Sequence, residues 1–479
     1  MKRPLFLAAL VALSFSSYTQ STGYTIPIVL TPYKNQYIYL GYYYGKVKAL
    51  ADSVKLDNNS TGVFKGSKAL PGGIYFIVSP KKEIAFELLL DKQQHFSIRA
   101  DSAGGPDKVV FTGSADNTVF QTYSRSVNKT GAEITALHKQ LPDAKMKADS
   151  TKISDQIQAL NKKIQQIRGD IEKQYPASLL AALFRNMKEP VVPPAGKHPG
   201  GKYDTLFAYR YYKNHYWDGV SFTDDRLLRT PIFEGKLEKY YRDLVSPDAD
   251  SIKKEVDAML LASRSNKEMF KYLLVHFIQQ YIDPKYMGQD AVYAHLFEKY
   301  INNNPEVDWF SEKDKKTIYN RAYSVMANLI GQTASDLEMV DTLGKPTTLY
   351  SIDAPYTVIF FWDATCSHCK EELPHLDSMF QNKWKQLGIK LYGVMADGGK
   401  EAWMNYIHEH GLKDWIHVYQ TDAQRDADNN TGRPGYKQLY DVYQTPMLYL
   451  LDKNKRIIAK KISYQQADEI LSIKMKKSQ

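Results

Sequence analysis

Cysteine is almost missing from this 479-residue chain: there are two, placed three apart as Cys366-Ser367-His368-Cys369. A chain that uses cysteine nowhere else is not stapled by disulfides, so these thiols read as reagents rather than braces. A bridge between residues this close would constrain the unfolded chain little. Long apolar runs are missing too, and nothing reaches the roughly 20 residues needed to span a bilayer. There is no second C-x-x-C and no pair of histidines at helical spacing, so a zinc site lacks its remaining ligands. Lys370 rather than His follows the second cysteine, which excludes a c-type haem. No metal or other cofactor is expected. Net charge is +10, but Lys and Arg are scattered among acidic residues. Without a basic-aromatic stripe, nucleic acid is not an expected partner. The basic surface leaves peripheral membrane contact open.

The N-terminus reads as a secretory signal peptide, residues 1–19. Met1-Lys2-Arg3 is a positive start, Leu5 to Leu13 a compact apolar stretch, and small polar residues follow toward Thr19-Gln20. No cysteine lies near that cleavage point, which argues against a lipoprotein anchor. The expected location is the periplasm. An exported compartment permits disulfides, so an isolated C-x-x-C there can cycle between dithiol and disulfide.

Three regions follow. Residues 20–123 read as a β-rich domain, with short runs at Tyr24-Leu30, Gln36-Tyr44, Gly73-Val78, Ile84-Leu90 and Val109-Phe111. Turn signals between them, such as Pro71-Gly72-Gly73, suggest an antiparallel β-sandwich. Residues 124–330 read as a helical domain. There Ile153, Ile157, Leu160, Ile164, Ile167 and Ile171 form a heptad seam. It packs within its own bundle, with a homodimer through residues 153–171 as the alternative. Residues 331–479 alternate strand and helix, an α/β sandwich.

The cysteines sit at the hinge of that last region. Thr357-Val358-Ile359-Phe360-Phe361-Trp362 reads as a buried strand, and Lys370-Glu371-Glu372-Leu373-Pro374 as a helix start. Cys366 then lies where helix N–H groups favour a thiolate. Together with Thr445-Pro446 just before a later strand, the run Phe361 to Pro374 makes this third resemble the thioredoxin superfamily. Within it, the similarity is to the TlpA/ResA-like exported thiol-disulfide oxidoreductases. The first two regions look like domains of unassigned chemistry fused to such modules.

The residue roles divide between the chain's own chemistry and that resemblance. Cys366 is the expected attacking thiolate and Cys369 the more buried resolving thiol, with Cys366–Cys369 as the redox-active disulfide. Glu372, one turn beyond Cys369, falls on the same helical face. The resemblance implies that it exchanges a proton with Cys369. In thioredoxin a buried strand aspartate does this, but Phe360 stands at the matching position. The resemblance also implies a cis bond before Pro446 and substrate pairing with the Thr445 backbone. Ser367 and His368, between the cysteines, tune the couple. An imidazolium at 368 would make the disulfide more oxidising, whereas the family match favours reduction.

The expected function is exchange of disulfides with exported proteins, leaning to reduction or isomerisation, supplied by a membrane or periplasmic thiol donor. A peroxidase of the peroxiredoxin kind would need Pro and Thr seven and three residues before the reactive cysteine, where Ile359 and Asp363 stand. The rival from another class is a binding or scaffold protein with a vestigial redox domain.

Overall fold

The computed structural model describes residues 23–141 and 147–476. The expected signal peptide lies outside the described residues. The chain divides into two compact units. One runs to Leu244 and includes Ser263–Met269; the other takes Val245–Ala262 and everything from Phe270.

The first unit opens with eight strands: β1 (Tyr24–Thr31), β2 (Tyr37–Tyr44), β3 (Val47–Lys55), β4 (Thr61–Gly66), β5 (Gly73–Val78), β6 (Ile84–Leu90), β7 (Ser97–Asp101) and β8 (Val110–Thr112). They form two four-stranded sheets, ordered β4-β1-β7-β8 and β3-β2-β5-β6. Along β1, buried Ile26, Ile28 and Leu30 alternate with more open positions and meet Phe64, Ile77 and Leu88 in one core. The sandwich is not wholly antiparallel, because β1 pairs with β7 in parallel. The chain passes through the other sheet between those two strands, which supplies the long crossover a parallel pair requires.

Helix α1 (Ala115–Gln140) begins ahead of the boundary expected at Ser124, because Ser114 caps it by accepting from the Asn117 N–H at 3.3 Å. It pairs with α2 (Lys147–Gln174), which carries the heptad seam. Ile164 is buried and the other five seam residues are half-buried. Leu137 of α1 and Leu160 of α2 line one groove, so the seam faces a helix of its own chain. Then come α3 (Leu179–Met187), α4 (Thr205–Asn214) and α5 (Phe233–Asp243). Leu179, Leu180, Leu183 and Phe184 of α3 pack on Ile74 and Leu89.

Helices α6 (Ala249–Ser263), α7 (Lys267–Tyr281), α8 (Asp290–Leu296) and α9 (Glu312–Met326) lead into the second unit's sheet. Its elements are β9 (Val340–Asp341), β10 (Tyr356–Asp363), α10 (Ser367–Met379), β11 (Lys390–Asp397), α11 (Lys400–Glu409), β12 (Ile416–Tyr419), α12 (Asp422–Thr431), α13 (Tyr436–Leu439), β13 (Met447–Asp452), β14 (Ile457–Lys460) and α14 (Tyr464–Lys476). The strand order is β14-β13-β10-β11-β12-β9. Central β10 pairs with β11 in parallel and β13 antiparallel. Its side chains alternate: Val358, Phe360 and Trp362 join one core with Cys369 and Leu373, while Ile359 and Phe361 join the other with Tyr449. Residues 421–436, mostly polar, hold α12. A capping box between Thr421 and Gln424 starts it, and that local hydrogen bonding outweighs the lack of an apolar stripe.

Beneath the Trp362 side of the sheet, His417 is buried and stacks on Trp415 at 5.5 Å. Its Nε2–H donates to the Leu412 carbonyl at 2.7 Å. Burial pushes its pKa down to about 4. A depressed histidine contributes stability that is present above its ordinary value near 6.5 and lost as pH falls toward about 4. The full span is worth about 3 kcal/mol. Chemical denaturation at pH 7 and pH 4.5 should therefore show a smaller acid loss in His417→Gln than in the parent. An equal loss would contradict the assignment.

Candidate active site

Strand β10 carries the chain up to Asp363, and the Asp363 carboxylate then holds the turn. Its Oδ1 accepts from the Thr365 N–H and hydroxyl, each at 2.7 Å. A Cβ on Gly398 would fall 2.1 Å from that oxygen, so only glycine lets the loop after β11 approach so closely. Cys366 is the N-cap of α10, and its carbonyl accepts from the Lys370 N–H at 3.1 Å.

Both cysteines are free thiols here, in unlike surroundings. Cys366 is half-buried at the mouth and its Sγ donates to the Thr445 carbonyl at 3.5 Å. Desolvation alone would raise this thiol. Donation from the Cys369 backbone and thiol, the Thr445 side chain and the His368 backbone N–H outweighs it, and the pKa falls below the ordinary value. Cys369 is fully buried and accepts from the Asp363 N–H at 3.5 Å. Burial pushes its thiol up to about 12. The two thiols are thus shifted in opposite directions, Cys366 down and Cys369 up.

The remaining predicted residues gather around this pair to different degrees. The Thr445-Pro446 bond is cis, and the Thr445 oxygen lies against Cys366. Glu372 is half-buried and lines a pocket of about 260 Å³ with Phe360, Pro446, Lys461 and Tyr464. Its carboxylate makes no hydrogen bond to Cys369 among the described residues; Glu371 points to solvent. Ser367 and His368 are exposed. The residue 368 backbone N–H faces the Cys366 sulfur. Trp362 is fully buried beneath the motif. Sequence reasoning overlooked Asp363 and Gly398. The Asp-Ala-Thr run before Cys366 and the Gly398-Gly399 pair after β11 were the available signals, an Asx-type turn and a close backbone approach.

A strand, a two-thiol helix start and a facing cis-proline on this sheet define a thioredoxin-like domain. Known proteins agree. Residues 330–460 match the AhpC/TSA family, and residues 146–326 match a domain of unknown function, DUF5106. The chain is similar to the thiol-disulfide oxidoreductase ResA of Bacillus thuringiensis, 23% identical over 141 residues, covering 29% of this chain and 74% of that protein. It is 24% identical over 142 residues to ResA of Geobacillus kaustophilus, covering 29% and 74%. Among solved structures, a domain of a possible thiol-disulfide isomerase from Cytophaga hutchinsonii is 36% identical, with TM-score 0.27, covering 31% of this chain and 95% of that one. A thioredoxin-like protein from Bacteroides caccae is 21% identical, with TM-score 0.45, covering 60% and 98%. The C-terminal third therefore belongs to the thioredoxin-like thiol-disulfide oxidoreductases.

Proposed function

We propose that the chain is an exported oxidoreductase that exchanges disulfides with protein substrates through Cys366 and Cys369, in the direction of reduction or isomerisation. The observation that carries this is the placement of the two sulfurs: Cys366 is half-buried at the start of α10 against the Thr445 oxygen, while Cys369 is fully buried, which lowers the first thiol and pushes the second up to about 12. The Cys366 thiolate attacks a substrate disulfide. A bond forms between Cys366 and one substrate sulfur, the substrate S–S bond breaks, and the departing sulfur takes a proton. Cys369 then loses its proton and attacks Cys366 Sγ, releasing the second substrate thiol. Two electrons have passed to the substrate, and the protein is left with a Cys366–Cys369 disulfide that a thiol donor must reduce.

Resolution needs a base, because a thiol at about 12 is not ionised near neutrality. Glu372 is the proposed proton acceptor, half-buried one turn along α10 and opening on the pocket beside Pro446. Thr445 is the proposed pairing edge for an extended substrate segment. Ser367 and His368 bear on the potential through the backbone they place at the helix start.

The reduction potential, measured by equilibration in dithiothreitol and glutathione buffers, tests the direction. A value near about −270 mV is expected for a reductase; one at about −120 mV marks an oxidase and would sink that part. Absence of any reversible couple would return the chain to the binding-protein reading.

A further inference from the structure

Helix α9 reaches the loop that carries the cis-proline. The Arg321 guanidinium pairs with the Asp441 carboxylate, which is only 2% exposed and also takes Lys461 from the end of β14. From its other side, Arg321 Nε donates to the Ile282 carbonyl at 2.9 Å, so the guanidinium is held at two points. Asp441 has φ of +54°, a conformation uncommon outside glycine that persists where surroundings over-determine it. Two further contacts run in parallel. Asn328, just past α9, donates to the Leu439 carbonyl at 2.9 Å, and Ser324 meets the Tyr443 hydroxyl at 3.3 Å. Leu439, Asp441 and Tyr443 are the residues that lead into Thr445-Pro446.

We propose that α9 positions the cis-proline loop through the Arg321–Asp441 clamp, so that the end of the DUF5106 region sets how a protein substrate is presented to Cys366. Arg321 is a positioning residue: it touches neither thiol and acts through Asp441 on the Thr445 edge. A helical segment outside the thioredoxin-like match thereby governs affinity for extended polypeptide. This inference rests on the exchange reaction proposed above, and its first readout does not.

The test uses the full chain with Arg321→Ala, Arg321→Lys and Ser324→Ala. Hydrogen exchange of amides in residues 439–448 should quicken about tenfold in Arg321→Ala, with the rest of the sheet unchanged. With insulin as the disulfide substrate, KM should rise by a factor of roughly ten while kcat changes little. Arg321→Lys should recover part of both effects, which mere loss of stability would not predict. A folded Arg321→Ala with parental exchange over 439–448, or with parental KM, overturns the proposal. Should Arg321→Ala fail to fold, Ser324→Ala must show the same local quickening, and its absence overturns the proposal equally. Failure of the parent to turn over insulin would remove the exchange reading, while the hydrogen-exchange result still decides the clamp.

Discussion

Replacing Cys366 with serine should abolish disulfide turnover, whereas replacing Cys369 should instead trap covalent adducts between Cys366 and substrate. Removing a covalent nucleophile costs roughly four orders of magnitude or more in rate. Serine at 366 can occupy the N-cap position, but its hydroxyl stays un-ionised at neutral pH and supplies no sulfur nucleophile. The second variant fails differently. With Cys369 gone, the first step still forms a mixed disulfide, but no buried thiol remains to break it. Non-reducing gels and intact mass should show the adducts, and dithiothreitol should release them. Full turnover by Cys369→Ser would mean that the two-thiol sequence is wrong.

Loss of the buried Asp290 carboxylate is the next largest effect expected. Lys460 is 3% exposed and pairs with Asp290; its Nζ also donates to Asn328 Oδ1 at 2.5 Å. Burial lowers the Lys460 pKa, and Asp290 is the main group opposing that. Asp290→Ala would leave a buried ammonium uncompensated, at a cost of about 3–5 kcal/mol. A lysine depressed in the folded state loses stability as pH falls below its ordinary value, so the deficit should be largest near neutrality and shrink toward pH 10. The double variant Asp290→Leu with Lys460→Met should recover most of the loss, because two apolar side chains need no pairing. Urea unfolding of the second unit measures all three. A single variant as stable as the parent would show that the pair contributes nothing.

The parts of this protein that were legible in sequence are the local ones. The strand, turn and helix around Cys366 lie within about twenty consecutive residues, and each carries its own signal in β-branched runs or capping geometry. Thr445-Pro446 became readable through resemblance, since no spacing links it to the cysteines. Helix α12 is hard to read from sequence because its mean character is polar, and only the Thr421/Gln424 box announces it. The parallel pairing of β1 with β7 was missed because register between distant strands has no sequence signature. The same holds for Arg321 and Asp441, separated by 120 positions, where two ordinary charged residues become a half-buried pair only once the sheet and α9 exist.

The two-faced burial of β10 makes that strand a measure of length as well as a support. Its even-numbered residues and Cys369 share one core, and its odd-numbered residues belong to the other. Adding or deleting one residue between Tyr356 and Trp362 would exchange those faces, turning the indole of Trp362 away from the helix it underlies. Insertions of a single residue should therefore be rejected along β10. An insertion in the exposed turn around Asn454 leaves this parity untouched.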